Sequence, residues 1–215
     1  MGLFSFAPKP SGISLFNQKS HSDLFDILIN KGFIKQEQIK QIEEFVKSKV
    51  NSLDWTHTKA VRNLGLKIAK QEKADKEIIE VTCLLHNVGR HKGREKYKER
   101  GADMARKYLE KNNFDQRLIE EVIYCLNADF QIEPKDFKTI EAKIFKDADS
   151  IDKISMFGIL FFGINNELLV NGDYDKAIEK LMEKTKKKLD RLATKTGKEM
   201  GKEKYLEFKK YLAKL

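Results

Sequence analysis

The chain has 215 residues, 35% of them charged and 40% hydrophobic, with a formal net charge of +9 and only three prolines. That length can bury a full core in one domain, and a composition rich in leucine, isoleucine, lysine and glutamate suits long helices and leaves little for a sheet. The charge favours anionic partners, whether phosphate esters, nucleic acid or an acidic membrane surface. No run of about 18 apolar residues occurs, so no membrane span is expected. The start lacks the basic region of a signal peptide, and Phe6 breaks the myristoylation pattern. Cys83 and Cys125 both sit in apolar helical runs, which points away from a disulfide framework and towards a reducing cytoplasm.

Residues 1–20, with Pro8, Pro10 and Gly12, read as a flexible N-terminal arm, and 21–215 as one helical domain. Ser22 is a good N-cap for a short helix over Asp23–Asn30, closed by Gly32. A helix over Ile34–Val50 follows, its apolar face marked by Ile39, Ile42, Phe45 and Val46. Leu53-Asp54-Trp55-Thr56-His57 opens the next helix, where Val61, Leu64, Ile68 and Ala69 keep the period and put His57 near the inward face. Asp75 caps an apolar helix through Ile78–Leu85, which ends on His86-Asn87 before Gly89 breaks it. Residues 88–100 read as a basic connection ending at Gly101. Ala102, Ala105, Tyr108 and Leu109 mark one more helix, and Leu118, Val122, Ile123 and Leu126 another, with Pro134 ending the linker after it. Ile140, Ile144 and Phe145 lead into Asp147-Ala148-Asp149-Ser150-Ile151-Asp152, and the apolar segment 154–164 is expected in the core. From Tyr174 onward, lysine-rich helices carry Ile178, Leu181, Leu189 and Leu192, then Tyr205, Phe208, Tyr211 and Leu212. There is no internal repeat.

Two of the four histidines, His57 and His86, fall on inward helical positions, and three acids, Asp147, Asp149 and Asp152, lie on another helix. Histidine nitrogens with a carboxylate suit Mn, Fe, Zn or Ni better than calcium, which prefers oxygens. Adjacent residues lie about 100° apart on a helix, so His86 and Asn87 can both reach one ion where the turn loosens. The residues alone leave a second account open: His86 a core histidine, Asn87 a C-terminal cap, the acids a solvated face.

The pattern Asp54-Trp55-x-His57, then Leu84-Leu85-His86-Asn87-Val88-Gly89-Arg90, then Asp147-Ala148-Asp149-x-Ile151-Asp152 resembles the HD-domain phosphohydrolases over most of residues 40–215. The piece from Leu181 through Thr194-Lys195-Thr196-Gly197-Lys198 to Phe208 is similar to the tail of a small bacterial and archaeal branch implicated in nucleotide pyrophosphohydrolysis. The resemblance implies an all-α, single-domain helical bundle of the HD type over 21–215, and the periodic segments give it roughly eight to ten helices. It implies one divalent metal ion (Mn, Mg, Fe, Ni or Zn) held by His57, His86, Asn87 and Asp149, with Asp147 as the alternative to Asp149. The remaining acids would orient the histidines. Asp147 and Arg90 are the implied catalytic residues, and Arg90, His91, Lys92 and Lys96 the implied contacts to substrate phosphate. Arg94, Lys98 and Arg100 read as a solvated loop, and His21 as surface.

Two departures bear on activity. Residue 87 is Asn where the family has Asp, which removes one negative charge beside the ion. Between 92 and 140 there is no histidine, and Tyr97 and Asp129 fall near positions where two-metal relatives often carry one, so a mononuclear site is expected. The implied activity is metal-assisted hydrolysis of a phosphoester or phosphoanhydride, with a nucleoside triphosphate as the favoured substrate class. The alternative is a catalytically weak or inactive HD-fold module that binds a nucleotide or nucleic acid. Nucleic acid is the less favoured ligand, because no aromatic series interleaves with the basic residues.

Overall fold

The computed structural model describes residues 35–93, 95–131, 133, 136–155, 158–159 and 174–212. The expected arm over 1–20, His21, the short helix over Asp23–Asn30, Pro134 and residues 160–164 lie outside the described residues. Within them the chain is all-α, the class read from the sequence. The helices are α1 (Gln36–Lys47), α2 (Ser52–Glu72), α3 (Lys76–Leu85), α4 (Tyr97–Lys111), α5 (Gln116–Gln131), α6 (Ile140–Ile154), α7 (Tyr174–Asp190) and α8 (Lys195–Leu212). A 3₁₀ turn, Val88–Lys92, follows α3. All described residues lie in one unit, Phe33–Leu215.

Short polar side chains set the helix starts by accepting from the first free backbone N–H groups. Asn51 accepts from Asp54 at 2.8 Å to start α2. Asp75 accepts from Glu77 at 2.9 Å to start α3, and Thr139 from Ala142 at 3.2 Å to start α6. Each such cap contributes about 1 kcal/mol. α2 ends on Lys73, whose left-handed backbone (φ 56°) turns the chain towards α3.

One boundary differs from the sequence reading. α4 begins at Tyr97 rather than near Ala102, so much of the expected basic connection is structured. Gly93 (φ 96°) and Lys96 (φ 47°) reverse the chain between the 3₁₀ turn and α4. Arg100 closes that reversal by donating to the carbonyls of Gly89, Glu95 and Gly93 at 2.9, 3.0 and 2.8 Å. It is a structural clamp and not a solvated loop residue. The turn also lies so close to α4 that a Cβ on Gly89 would sit 2.0 Å from the Tyr97 carbonyl oxygen.

α2, α3 and α6 form the centre, with α2 against both others. Their period-3.6 apolar faces bury Ile68, Ile79, Leu84, Leu85, Ile144, Phe145 and Ile151 almost completely. Burying each such side chain contributes about 1.5–3 kcal/mol. At the rim Arg62 joins three helices, donating to Glu43 of α1 and Glu80 of α3, each at 2.8 Å. Ile159, Leu181 and Phe208 form a second, smaller apolar cluster. Cys83 and Cys125 are buried and free. No described helix is long and apolar enough to cross a membrane.

Candidate metal site

The inward phase of α2 puts His57 against Asp149 and Asp152 in the second half of α6, and the end of α3 brings His86 to the same point. His57 and His86 meet edge to face, ring centres 5.2 Å apart, with the Phe145 ring 5.6 Å from His86 behind them. The His57 and His86 Nε2 atoms are 3.2 Å apart, and Asp149 Oδ1 is 3.2 Å from His57 Nε2. One ligand atom from each of the three lies within 4.8 Å of the others.

What faces the other ring nitrogens decides what these atoms present. His57 Nδ1 lies 2.6 Å from Asp152 Oδ2, and His86 Nδ1 lies 2.7 Å from the Cys83 carbonyl oxygen. Both neighbours only accept, so each Nδ1 carries the hydrogen and each Nε2 turns a lone pair inward. Asp149 Oδ1, buried, has no hydrogen-bond partner among the described residues. Three acceptors thus converge, an arrangement that repels itself until a cation or proton enters. Ligands bonded at about 2.1 Å stand roughly 3.0–3.4 Å apart, and the two separations from His57 Nε2, each 3.2 Å, fit that donor set.

The electrostatics agree. Burial, and then the facing His57, push the His86 pKa down to about 3, so His86 is neutral at neutral pH. Burial also opposes charge on His57, but Asp149 and Asp152 outweigh it and hold its pKa above the ordinary value. Burial would raise Asp149, yet Lys153 and His57 keep it well below the usual carboxylate range.

The other expected site residues are placed as follows. Asn87 follows His86 directly; its side chain is buried and its amide nitrogen has no hydrogen-bond partner among the described residues. Asp147 is brought elsewhere: its carboxylate accepts from Ala193 N, Thr194 N and Thr194 Oγ1 at 2.8, 2.8 and 2.7 Å. Thr194 in turn caps α8 by accepting from Gly197 N at 2.9 Å. This geometry corrects the catalytic role expected of Asp147, which anchors the α7–α8 junction with both of its oxygens. Arg90 donates to Asp54 at 2.6 Å and lies over the Tyr97 ring, 5.4 Å from its centre. Lys96 is exposed. The side chains of His91 and Lys92 lie outside the described residues.

Sequence reasoning missed a set of lysines. Lys153 Nζ contacts Asp149 Oδ2, the oxygen turned away from His57. Lys146 donates to Asp129 at 2.6 Å, and Lys98, expected in a solvated loop, pairs with the same carboxylate. The spacing from Asp149 to Lys153, one helical turn, was the available signal.

The HD domain family model matches residues 54–154, from Asp54 to the end of α6. Residues 54–154 of this chain are an HD domain. No curated protein sequence matches it. Among solved structures, the HD domain here is similar to Bacillus subtilis YpgQ in complex with ADP, at 25% identity and TM-score 0.68, covering 83% of this chain and 93% of that one. An HD-superfamily hydrolase from Bacillus thuringiensis aligns at 23% identity and TM-score 0.68, covering 84% and 96%. A predicted HD-superfamily hydrolase from an uncultured Thermotogales bacterium aligns at 19% identity and TM-score 0.59, covering 89% and 95%. At those two lower identities the likeness speaks for the fold.

Proposed function

We propose that this HD-domain chain is a divalent-metal-dependent phosphohydrolase acting on a nucleotide or related phosphoester or phosphoanhydride, attenuated by Asn87. The observation that carries this reading is the convergence of His57 Nε2, His86 Nε2 and Asp149 Oδ1 with both Nδ1 atoms tied back. His57, His86 and Asp149 would hold the ion, and Asn87 is the candidate fourth ligand, through its amide oxygen. When bound, a divalent ion supplies Lewis acidity, activating water and polarising a phosphoryl oxygen. Asp152 fixes the His57 tautomer, the Cys83 carbonyl fixes that of His86, and Phe145 keeps water from the back of the ring. Arg90 keeps donors beyond the one given to Asp54, and it remains the loop's candidate contact to phosphate with His91, Lys92 and Lys96. A nucleotide is favoured because a relative of the same fold, YpgQ, is seen with ADP.

One observation favours a second reading, a nucleotide-binding module without turnover. The ion site would have one carboxylate, and Lys153 already neutralises it. Metal content and triphosphate hydrolysis with Mn and Mg separate the two. Hydrolysis that disappears in His86→Ala supports the enzyme. Nucleotide binding without hydrolysis in any of these metals supports the module.

A further inference from the structure

A cleft of about 320 Å³ opens beside Asp149, on the side of the carboxylate turned away from the histidines. Its cations are Lys146 and Lys153 from α6 and Lys184, Lys187, Lys188 and Arg191 from α7 and its end; Asp149 is the one acid among the described residues lining it. The α7 residues follow the spacing i, i+3, i+4, i+7, so they form one stripe about 10 Å long. Lys146, Ser150 and Lys153 make the facing stripe on α6.

Most of this charge is balanced in place, and a part is not. Lys146 pairs with Asp129 at 2.6 Å, Lys187 with Glu183 at 2.5 Å and Arg191 with Glu133 at 2.5 Å, while Lys153 holds Asp149. Lys184 and Lys188 have no ion-pair partner among the described residues. Lys188 is half-buried, and burial together with the nearby charge of Lys153 holds its pKa below the ordinary lysine value. Such a surplus, set in a groove, is relieved by an extended anion. No aromatic side chain lines the cleft among the described residues, so it offers phosphates a partner and bases none.

We propose that this cleft, through Lys184 and Lys188 with Lys153 at its floor, binds a chain of linked phosphates leading to the His57–His86–Asp149 centre. The inference rests on the phosphohydrolase reading for what happens at that centre, and it narrows the substrate to molecules with two or more joined phosphates. Inorganic polyphosphate and nucleoside polyphosphates share that chemistry.

Calorimetric titration of the full chain in EDTA tests binding without metal or turnover, with inorganic tripolyphosphate, ATP and inorganic phosphate as probes. Wild type should bind tripolyphosphate or ATP at least about tenfold more tightly than phosphate, tighter ATP indicating a nucleotide source. Lys184→Ala/Lys188→Ala should lose roughly ten- to a hundredfold for the chain, and Lys188→Glu no less. Lys40→Ala/Lys70→Ala, which removes the same charge from exposed sites on α1 and α2, should change affinity less than about threefold. Equal loss in that control, no preference for linked phosphates, or loss confined to Arg90→Ala overturns the proposal. If the cleft variants lose binding while wild type never hydrolyses a triphosphate, the cleft stands and the enzyme reading falls. If wild type hydrolyses triphosphate and the double lysine variant keeps its KM, the reverse holds.

Discussion

Replacing Asp152 by Asn is the sharpest probe of the site, because it alters an atom one bond network removed from the proposed ligands. Asp152 is buried, and its Oδ2 lies 2.6 Å from His57 Nδ1. Asparagine keeps the shape and an acceptor oxygen, so the ring stays near its place. What disappears is the negative charge that strengthens the bond and fixes the tautomer. Charged hydrogen bonds are worth about 1.5–3 kcal/mol against about 0.5–1.5 for neutral ones. Partners that orient a metal-bound histidine typically cost ten- to a hundredfold in affinity when changed. Mn affinity at pH 8 should therefore fall by about tenfold or more, roughly 1.4–2.8 kcal/mol. The pH dependence adds a signature. In wild type the two carboxylates hold the His57 pKa above its ordinary value, so as pH falls a proton competes with the ion. Removing one carboxylate lowers that pKa, the variant meets less competition, and the gap between the proteins should narrow from pH 8 to pH 6. Calorimetric Mn titrations at both pH values, with His57→Ala as the blank, read this directly. Equal affinities at pH 8, or a gap that widens towards pH 6, would refute the tautomer argument.

Asn87→Asp should raise Mn uptake and triphosphate hydrolysis, since it restores a unit charge and removes a buried amide nitrogen that lacks a partner; metal content and phosphate release check it. Lys153→Met should strengthen Mn binding by about tenfold or more, because a unit charge about 5 Å from a divalent cation costs about 6–7 kcal/mol at an effective dielectric of 20, before screening. The same variant should weaken tripolyphosphate binding, an opposite pair of changes that simple unfolding cannot give. Asp147→Ala should cost about 2–4 kcal/mol, through N–H groups left unpaired at 193 and 194, while leaving Mn affinity of the folded protein unchanged. For a chain of this size that is a fall in Tm of roughly 5–15 °C, seen by calorimetry.

The residues that converge announced themselves through helical phase. His57 sits four before Val61 on an apolar stripe, and His86 ends a wholly apolar helix, so both point inward by the same geometry that forms the core. The three acids were harder to tell apart. At about 100° per residue Asp147 stands some 200° from Asp149, whereas Asp152 stands only about 60° from it. That arithmetic separates the α8 anchor from the pair facing His57, but the i, i+2 spacing alone looks alike on both sides. Lys153, Lys184 and Lys188 were illegible for another reason: a lysine-rich helix normally faces water. Their meaning comes from α7 lying along α6, a contact between segments far apart in the chain. The start of α4 is not legible in the sequence because its signal lies in the backbone reversal at Gly93 and Lys96 and in the Arg100 clamp, none of which has an apolar period.

α6 carries three aspartates to three destinations: Asp147 to the α7–α8 junction, Asp149 to the histidine pair and Asp152 to the back of His57. Their angular offsets are set by residue count along one rigid rod. Side-chain changes elsewhere on α6 leave those offsets intact. Inserting or deleting one residue between Asp147 and Asp152 would turn the acids on one side of the change by about 100° relative to the rest. The junction and the histidine pair could then no longer be served together. The register of this helix between Asp147 and Asp152 therefore ties the attachment of the C-terminal helices to the integrity of the candidate centre.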